Sequence, residues 1–247
     1  MRMSGKRALV TGAASGIGEA VAAAFVKEGA EVLRADIAYA MGVATGEIHL
    51  DVAEESDWDR AIGSAGRLDA VVGCAGISAA WPIEETALAD WRRVMAINLD
   101  GAFLTVKYGA RAMHESGGSI VVVGSASGVK AVPNASAYCA SKAGVRMLVK
   151  SAALELKAEG VRVNCVSPAG VVTPMWRSMP FWQDLVERHG GEEGAWNALG
   201  GADAAKLSMQ RMAFPEEIAE AVVFLSSAQA AHITGADLAV DAGYTAG

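Results

Sequence analysis

Only three cysteines occur in the 247 residues, Cys74, Cys139 and Cys165, far apart and with no CxxC pair among them. That spacing excludes a disulfide framework and reads as reduced core thiols of a cytoplasmic protein. Four scattered histidines, His49, His114, His189 and His232, give no ligand cluster, so no metal is expected. No apolar stretch approaches the roughly 18 residues of a membrane span. Near the start, Ala8, Leu9 and Val10 are too few for the apolar core of a signal peptide, and they run straight into a glycine turn. Basic blocks are also missing: 21 lysines and arginines face 28 acids, a net charge of -7. Such a balance argues against nucleic acid or an anionic membrane as partner and leaves small molecules.

What is present is a globular composition, 52% hydrophobic and 20% charged, with no linker or internal repeat beyond a strand-helix period. One α/β domain over 1–247 is expected. Its first unit is RALV (7–10), an apolar strand, then TGAASGIG (11–18), then an alanine-rich amphipathic helix closed by Gly29. Strand, glycine turn and helix in that order are the context for a dinucleotide: Gly12 makes the turn, Gly16 admits the pyrophosphate, and Gly18 allows close helix packing, with Ser15 and Ile17 between them. A second strand, 31–36, ends in Asp36, about 20 residues beyond the glycines, where a carboxylate accepts from the ribose hydroxyls. Asp36 repels a 2′-phosphate, and no basic residue stands at 13–15 or 37. NAD is therefore expected over NADP. Arg34 either pairs with an acid or reaches phosphate.

Further strands come at 47–52, 68–76, 117–128, 161–170 and 236–243, alternating with helical patterns, and predict a doubly wound parallel sheet. Between Asp36 and the 47–52 strand only ten residues intervene, so that crossover helix is short or replaced by a loop. Asp51 and Val52 end a strand where an adenine lies, or Asp51 caps the next helix. The turn Cys74, Ala75, Gly76 closes another strand. One long helix is expected over 88–116, with apolar Trp91, Met95, Leu99 and Phe103 and with Asn98 among them; a mid-helix asparagine needs a partner, so Asn98 is expected to hold water or backbone near the site. Ligands bind beyond the carboxyl ends of such strands. Residues 12–18, 36, 74–76, 125 and 168–173 converge there.

Chemistry is concentrated in Ser125 and the YCASK stretch. Tyr138 and Lys142 are four residues apart, so on a helix they share a face. A phenol titrates near pH 10, and a nearby ammonium favours the phenolate, making it usable as a general base. Ser125 then holds the alcohol or carbonyl oxygen. From 173 to 211 regular patterning lapses, and Met175, Trp176, Met179, Phe181, Trp182 and Trp196 gather in a chain with only 6% aromatics. Such a segment reads as a substrate lid, with Gly190, Gly191, Gly200 and Gly201 as hinges. Alternatively, its aromatics are core or oligomer contacts.

TGAASGIG, Asp36, CAG, Asn98, Ser125, YCASK and SPAGVVT together resemble, in order and across essentially the whole chain, the short-chain dehydrogenase/reductase family. That resemblance implies a Rossmann-like sheet of about seven strands, usually assembled as a homotetramer or homodimer. It implies Tyr138 as catalytic acid/base, Lys142 lowering its pKa and holding the nicotinamide ribose, Ser125 orienting the substrate, and Asn98 supporting a water relay from Lys142. Thr173 and the backbone of Val171, just past Pro168, would hold the carboxamide. Two positions depart from the family pattern: Cys74 replaces the usual asparagine of NAG, and Ala169 replaces the usual glycine after Pro168.

The reading is an NAD-dependent oxidation of a secondary alcohol, or the reverse, on a bulky apolar substrate (aryl, alicyclic or steroid-like) touched by Ser125, Tyr138, Trp176 and Trp182. A 3-oxoacyl-acyl-carrier-protein reductase is the alternative, normally NADPH-dependent and basic toward its carrier, and Asp36 with the acidic charge argues against it. A non-catalytic NAD(H)-binding regulator or scaffold has no chemical use for the phenol.

Overall fold

The computed structural model describes residues 1–41, 46–78, 80–204 and 211–246. Seven strands form one sheet: β1 Arg7–Thr11, β2 Glu31–Asp36, β3 Glu47–His49, β4 Ala70–Gly73, β5 Gly118–Val123, β6 Val161–Pro168 and β7 Asp237–Val240. Their order is β3-β2-β1-β4-β5-β6-β7, and every pairing is parallel. Central strands read as continuous apolar runs, such as Ile120 to Val123, because both faces are covered. On one face α2 (Glu55–Ala65), α4 (Gly101–Met113) and α5 (Ser136–Leu156) bury Trp58, Tyr108, Met113 and Val149; on the other, α1 (Gly16–Lys27) and α8 (Pro215–Ser226) bury Phe25, Val21, Ile218 and Val222. This is the Rossmann-like doubly wound sheet expected from the sequence.

The chain runs outward from β1 to β3 and then returns to lay β4 on β1's other side. That reversal leaves a crevice at the carboxyl ends of β1 and β4, where open α/β sheets take their ligands. Between β2 and β3 the described residues form turns, in keeping with the short crossover; 42–45 lie outside the described residues.

Two stretches differ from expectation. The helix expected over 88–116 runs on from α3 (Leu88–Met95) to α4 with helical backbone at both joins, but through a π-helical turn (Ala96–Asp100) that the sequence reading did not foresee. The wider turn holds Asn98 and rotates α4 about its axis, leaving Phe103 49% exposed. The irregular 173–211 segment carries the short 3₁₀ turn Pro174–Ser178, α6 (Trp182–Arg188) and α7 (Glu192–Ala204), while 205–210 lie outside the described residues. Gly190 and Gly191, with φ of 71° and 126°, join α6 to α7, whereas Gly200 and Gly201 sit inside α7 and are not hinges.

Candidate active site

The glycine loop packs so closely that Gly12 and Gly18 admit no side chain. A Cβ on Gly12 would meet the Ala75 nitrogen at 2.8 Å, and one on Gly18 would meet the Gly12 carbonyl oxygen at 2.1 Å. Gly16, at φ 57°, adopts the left-handed conformation that other residues avoid, and its open side faces Thr173. The loop therefore runs along the crevice with Gly12, Gly16 and Gly18 interspersed by Ser15 and Ile17 and enters the N-terminus of α1, the arrangement that receives a pyrophosphate.

Asp36 ends β2 beside this loop. One carboxylate oxygen accepts from Ala14 N–H at 3.0 Å and the other from Ala38 N–H at 2.9 Å. Arg34 turns to the Ala13 carbonyl at 3.0 Å and toward Glu47 at 3.9 Å, the pairing alternative of the two foreseen for it. Asp51 closes a turn by accepting from Ala53 N–H at 3.0 Å, and the N-cap of α2 is Glu54. Asp51 and Val52 both line the cavity, so the capping alternative is the one set aside.

At the end of β4, Thr11 Oγ1 accepts from Cys74 N–H at 3.2 Å and from Ala75 N–H at 3.4 Å. This bond ties the two strand ends at the switch point where the family's usual asparagine is absent. Burial pushes the Cys74 thiol up to about 12, so it stays neutral. Asn98, 2% exposed, treats Ile77 as a strand partner: its Oδ1 accepts from Ile77 N–H and its Nδ2 donates to Ile77 O, both at 2.9 Å, with a third bond to Ser141 Oγ at 3.1 Å. Its amide thus fixes the loop after Gly76 to α5.

Ser125 follows β5 and opens the turn Ala126–Gly128, its Oγ accepting from Ser127 N–H at 3.1 Å. The same hydroxyl acts on the Tyr138 phenol, lowering its pKa against the effect of burial. Lys142, one turn along α5, is 5% exposed and donates from Nζ to Val123 O at 2.9 Å. Desolvation lowers its pKa to about 8. The expectation that Lys142 depresses the phenol is not met in the free protein: burial raises the Tyr138 pKa, and the lowering influence on it is Ser125. The ammonium is held by Val123 O and stands 5.8 Å from the ring centroid. Beside it, a water-sized cavity of about 10 Å³ is lined in part by Thr11, Asn98, Thr105 and Lys142.

These groups open onto one cavity of about 770 Å³, bounded by the glycine loop, Asp36, the 74–76 turn, Ser125, Tyr138, Lys142, Pro168, Val171 and Thr173. All the expected cofactor positions thus come together. Of the expected substrate contacts, Trp176 lines the cavity, and its Nε1 donates to Val171 O at 2.8 Å. Trp182 does not: it is 2% exposed and packs on Trp196 with ring centroids 4.7 Å apart, forming the internal contact that joins α6 to α7. Its neighbour Phe181 lines the cavity instead, with Met175 and Met179. Sequence reasoning missed Ile77, Val132 and Tyr244, which also line it. The strand-end rule, applied to β7 as to the other strands, would have pointed to Tyr244.

A glycine cradle for a dinucleotide beside a serine, tyrosine and lysine defines a nicotinamide-dependent oxidoreductase site. Residues 12–245 match the family described as enoyl-(acyl carrier protein) reductase. D-threitol dehydrogenase of Mycolicibacterium smegmatis is 39% identical over 99% of this chain and 94% of its own length. Borneol dehydrogenase of Lavandula x intermedia is 38% identical over 98% and 91%. The solved structure of ligand-free aldohexose dehydrogenase from Thermoplasma acidophilum superposes with a TM-score of 0.89 at 33% identity, covering 99% of this chain and 96% of that one. The chain belongs to the short-chain dehydrogenase/reductase family and is an oxidoreductase acting on CH–OH groups, with a nicotinamide dinucleotide as the family's cofactor. Among the described residues, no helix is long and apolar enough to cross a membrane.

Proposed function

We propose that this protein oxidises a bulky, largely apolar secondary alcohol to its ketone with NAD, or runs the reverse reaction. One observation carries the reading: Ser125, the Tyr138 phenol and Lys142 open onto the same 770 Å³ cavity as the glycine loop. The cradle fits a dinucleotide, because the glycine loop, packed too closely on the 74–76 turn and on itself for a Cβ at Gly12 or Gly18, lines the cavity at the N-terminus of α1. Gly12 to Gly18 would hold the pyrophosphate, Asp36 the adenosine ribose, Asp51 and Val52 the adenine, and Tyr138 and Lys142 the nicotinamide ribose. Cys74, Ala75, Gly76, Pro168, Val171 and Thr173 would border the nicotinamide half. When bound, the nicotinamide exchanges a hydride with the carbinol carbon.

The chain's own part is proton transfer and orientation. Ser125 holds the substrate oxygen by hydrogen bond, and Tyr138 takes the hydroxyl proton as the carbonyl forms or returns it in reduction. Lys142, protonated at neutral pH with its pKa near 8, supplies the positive charge that favours the phenolate once a ribose brings the two groups into one network. Asn98 holds the backbone beside the water-sized cavity, through which a proton passes from Lys142.

NAD rather than NADP is supported by the Asp36 carboxylate, which a 2′-phosphate would meet while Arg34 is engaged elsewhere. The relatives' names span a polyol and a bulky alcohol, so the lining decides the substrate: Ile77, Val132, Met175, Trp176, Met179 and Phe181 offer apolar surface, worth roughly 25 cal/mol per Å² buried. We take 173–211 as the lid of one catalytic unit. Exposed apolar side chains on the two neighbouring helices, Phe103 on α4 and Met147 and Leu154 on α5, support a homotetramer or homodimer. Free thiols at Cys74, Cys139 and Cys165 support a cytoplasmic setting. The test is a panel of acyclic, alicyclic, aryl and steroid alcohols assayed with NAD⁺ and NADP⁺. NADH formation with alicyclic alcohols is expected; no turnover with any alcohol or ketone would leave only the scaffold reading.

A further inference from the structure

The turn that follows β7 is tied down by a dense set of hydrogen bonds. Asp241, 8% exposed, accepts from Gly243 N–H and Thr245 N–H, both at 2.9 Å, and from the Thr245 hydroxyl. Tyr244 N–H donates to Asp241 O at 3.0 Å, and Ala242 adopts a left-handed φ of 51° that only a constrained turn imposes on a residue with a Cβ. The product of this construction is a fixed position for the one aromatic side chain of the turn.

That side chain is held from a second direction. Lys130, five residues beyond Ser125, donates from Nζ to Tyr244 O at 3.2 Å and sits 4.8 Å from the ring centroid, a cation–π contact. Lys130 belongs to the stretch between Ser125 and α5, whose Val132 and Pro133 line the cavity, and Tyr244 lines it too. The ring therefore stands with the Ser125 end of the cavity, away from Asp36 and the adenosine half.

We propose that Tyr244, clamped by the Asp241 turn and by Lys130, is a specificity-determining wall of the substrate pocket that sets the size of alcohol the enzyme prefers. The proposal rests on the alcohol dehydrogenase function proposed for the same cavity. An aromatic ring presents a broad flat surface with few rotamers to order, so it selects by shape against a compact ring system and contributes contact to small alcohols that would otherwise be loosely held. Unlike Trp176 and Phe181, which lie on the 3₁₀ turn and at the start of α6, this wall is anchored to the end of β7.

The test uses the full-length enzyme with NAD⁺ and three alcohols of increasing bulk: 2-butanol, cyclohexanol and borneol. For Tyr244→Ala, the ratio of kcat/KM for borneol to that for 2-butanol is expected to rise at least ~10-fold, through loss on the small alcohol, with KM for NAD⁺ within about twofold of wild type. Tyr244→Phe keeps the ring and is expected to keep the wild-type ratio. A ratio unchanged in Tyr244→Ala, or an equal loss on all three alcohols together with a raised KM for NAD⁺, overturns the proposal. Affinities of the NAD⁺-loaded protein for 2-butanone and camphor, a pairing in which no hydride can move, provide the same ratio without turnover when measured by calorimetry. If wild type oxidises none of the alcohols, the proposed function fails, and the ratio of affinities still decides Tyr244.

Discussion

Gly128 lies flat on the backbone of Lys142: a Cβ placed on it would come within 2.8 Å of the Lys142 carbonyl oxygen and 3.0 Å of Arg146 Cδ. The contact is reinforced by Arg146, whose Nη1 donates to Gly128 O at 3.1 Å while its Nε pairs with Asp237 of β7. It sets the distance between the Ser125 turn and the helix bearing Tyr138. Gly128→Ala is therefore expected to lift the turn and lower kcat by ~10- to 100-fold, because small misplacements of an orienting group are costly, while NADH affinity stays near wild type. Steady-state kinetics with an NADH titration checks this; kcat within twofold of wild type counts against it.

Tyr138→Phe removes one hydroxyl from a ring already packed in α5. Turnover is expected to fall at least ~10²-fold with NADH still bound, since a general acid/base contributes 10² to 10⁴. Retention of more than about a tenth of wild-type activity would mean that another group moves the proton.

Lys142 leads to a stability prediction with a definite sign. Its pKa drops from 10.5 to about 8 on burial, so between those values the unfolded chain holds a proton that the folded chain has lost, and folding becomes more favourable as pH rises through that window. Below about pH 8 both states are protonated and the full cost of burying the ammonium is present, about 3 kcal/mol. Lys142→Met is expected to be more stable than wild type at pH 7, with the gap closing by pH 10. Urea unfolding of both proteins at the two pH values measures it; a gap independent of pH would refute the cause.

Trp182 and Trp176 are expected to separate cleanly. Trp182→Ala opens a hole between α6 and α7 at the Trp196 contact and should destabilise the protein by about 3 kcal/mol or more. Trp176→Ala should instead lower kcat/KM for bulky alcohols more than for small ones, with a smaller loss of stability. Thermal melts and the same alcohol series distinguish the two; an identical pattern for both variants would undo the assignment.

Much of this was legible because the information is local. A strand, a glycine turn and a helix are each written in consecutive residues, and the rule that ligands meet the carboxyl ends of parallel strands then gathers Gly12, Asp36, Ser125 and Thr173 without any knowledge of contacts. The π turn was not legible, since Trp91, Met95, Leu99 and Phe103 keep a four-residue spacing that fits an ordinary helix; one added residue per turn leaves no mark in composition. Nor could spacing tell Phe181 from Trp182. Adjacent aromatics on a short helix face different ways, and which one meets the cavity depends on where α7 packs. The phenol's raised pKa was hidden for a similar reason: burial of Tyr138 opposes the charge of Lys142, and only the packed structure shows which prevails.

Past Gly170 the chain leaves the sheet, and it comes back at Ala213, where Val171 pairs with Ala213 in a single parallel bridge secured by Ala213 N–H to Gly170 O at 2.9 Å and Val172 N–H to Ala213 O at 3.0 Å. Entry and exit of the intervening forty or so residues are thus stitched together at one point. Doubling the length of such a loop costs only about 0.6 kcal/mol in closure entropy. Closure at that one point lets the residues beyond Thr173 vary in length and sequence while the β-sheet, Thr173 and the proton-transfer residues keep their register, so substrate range is expected to change there with the hydride chemistry retained.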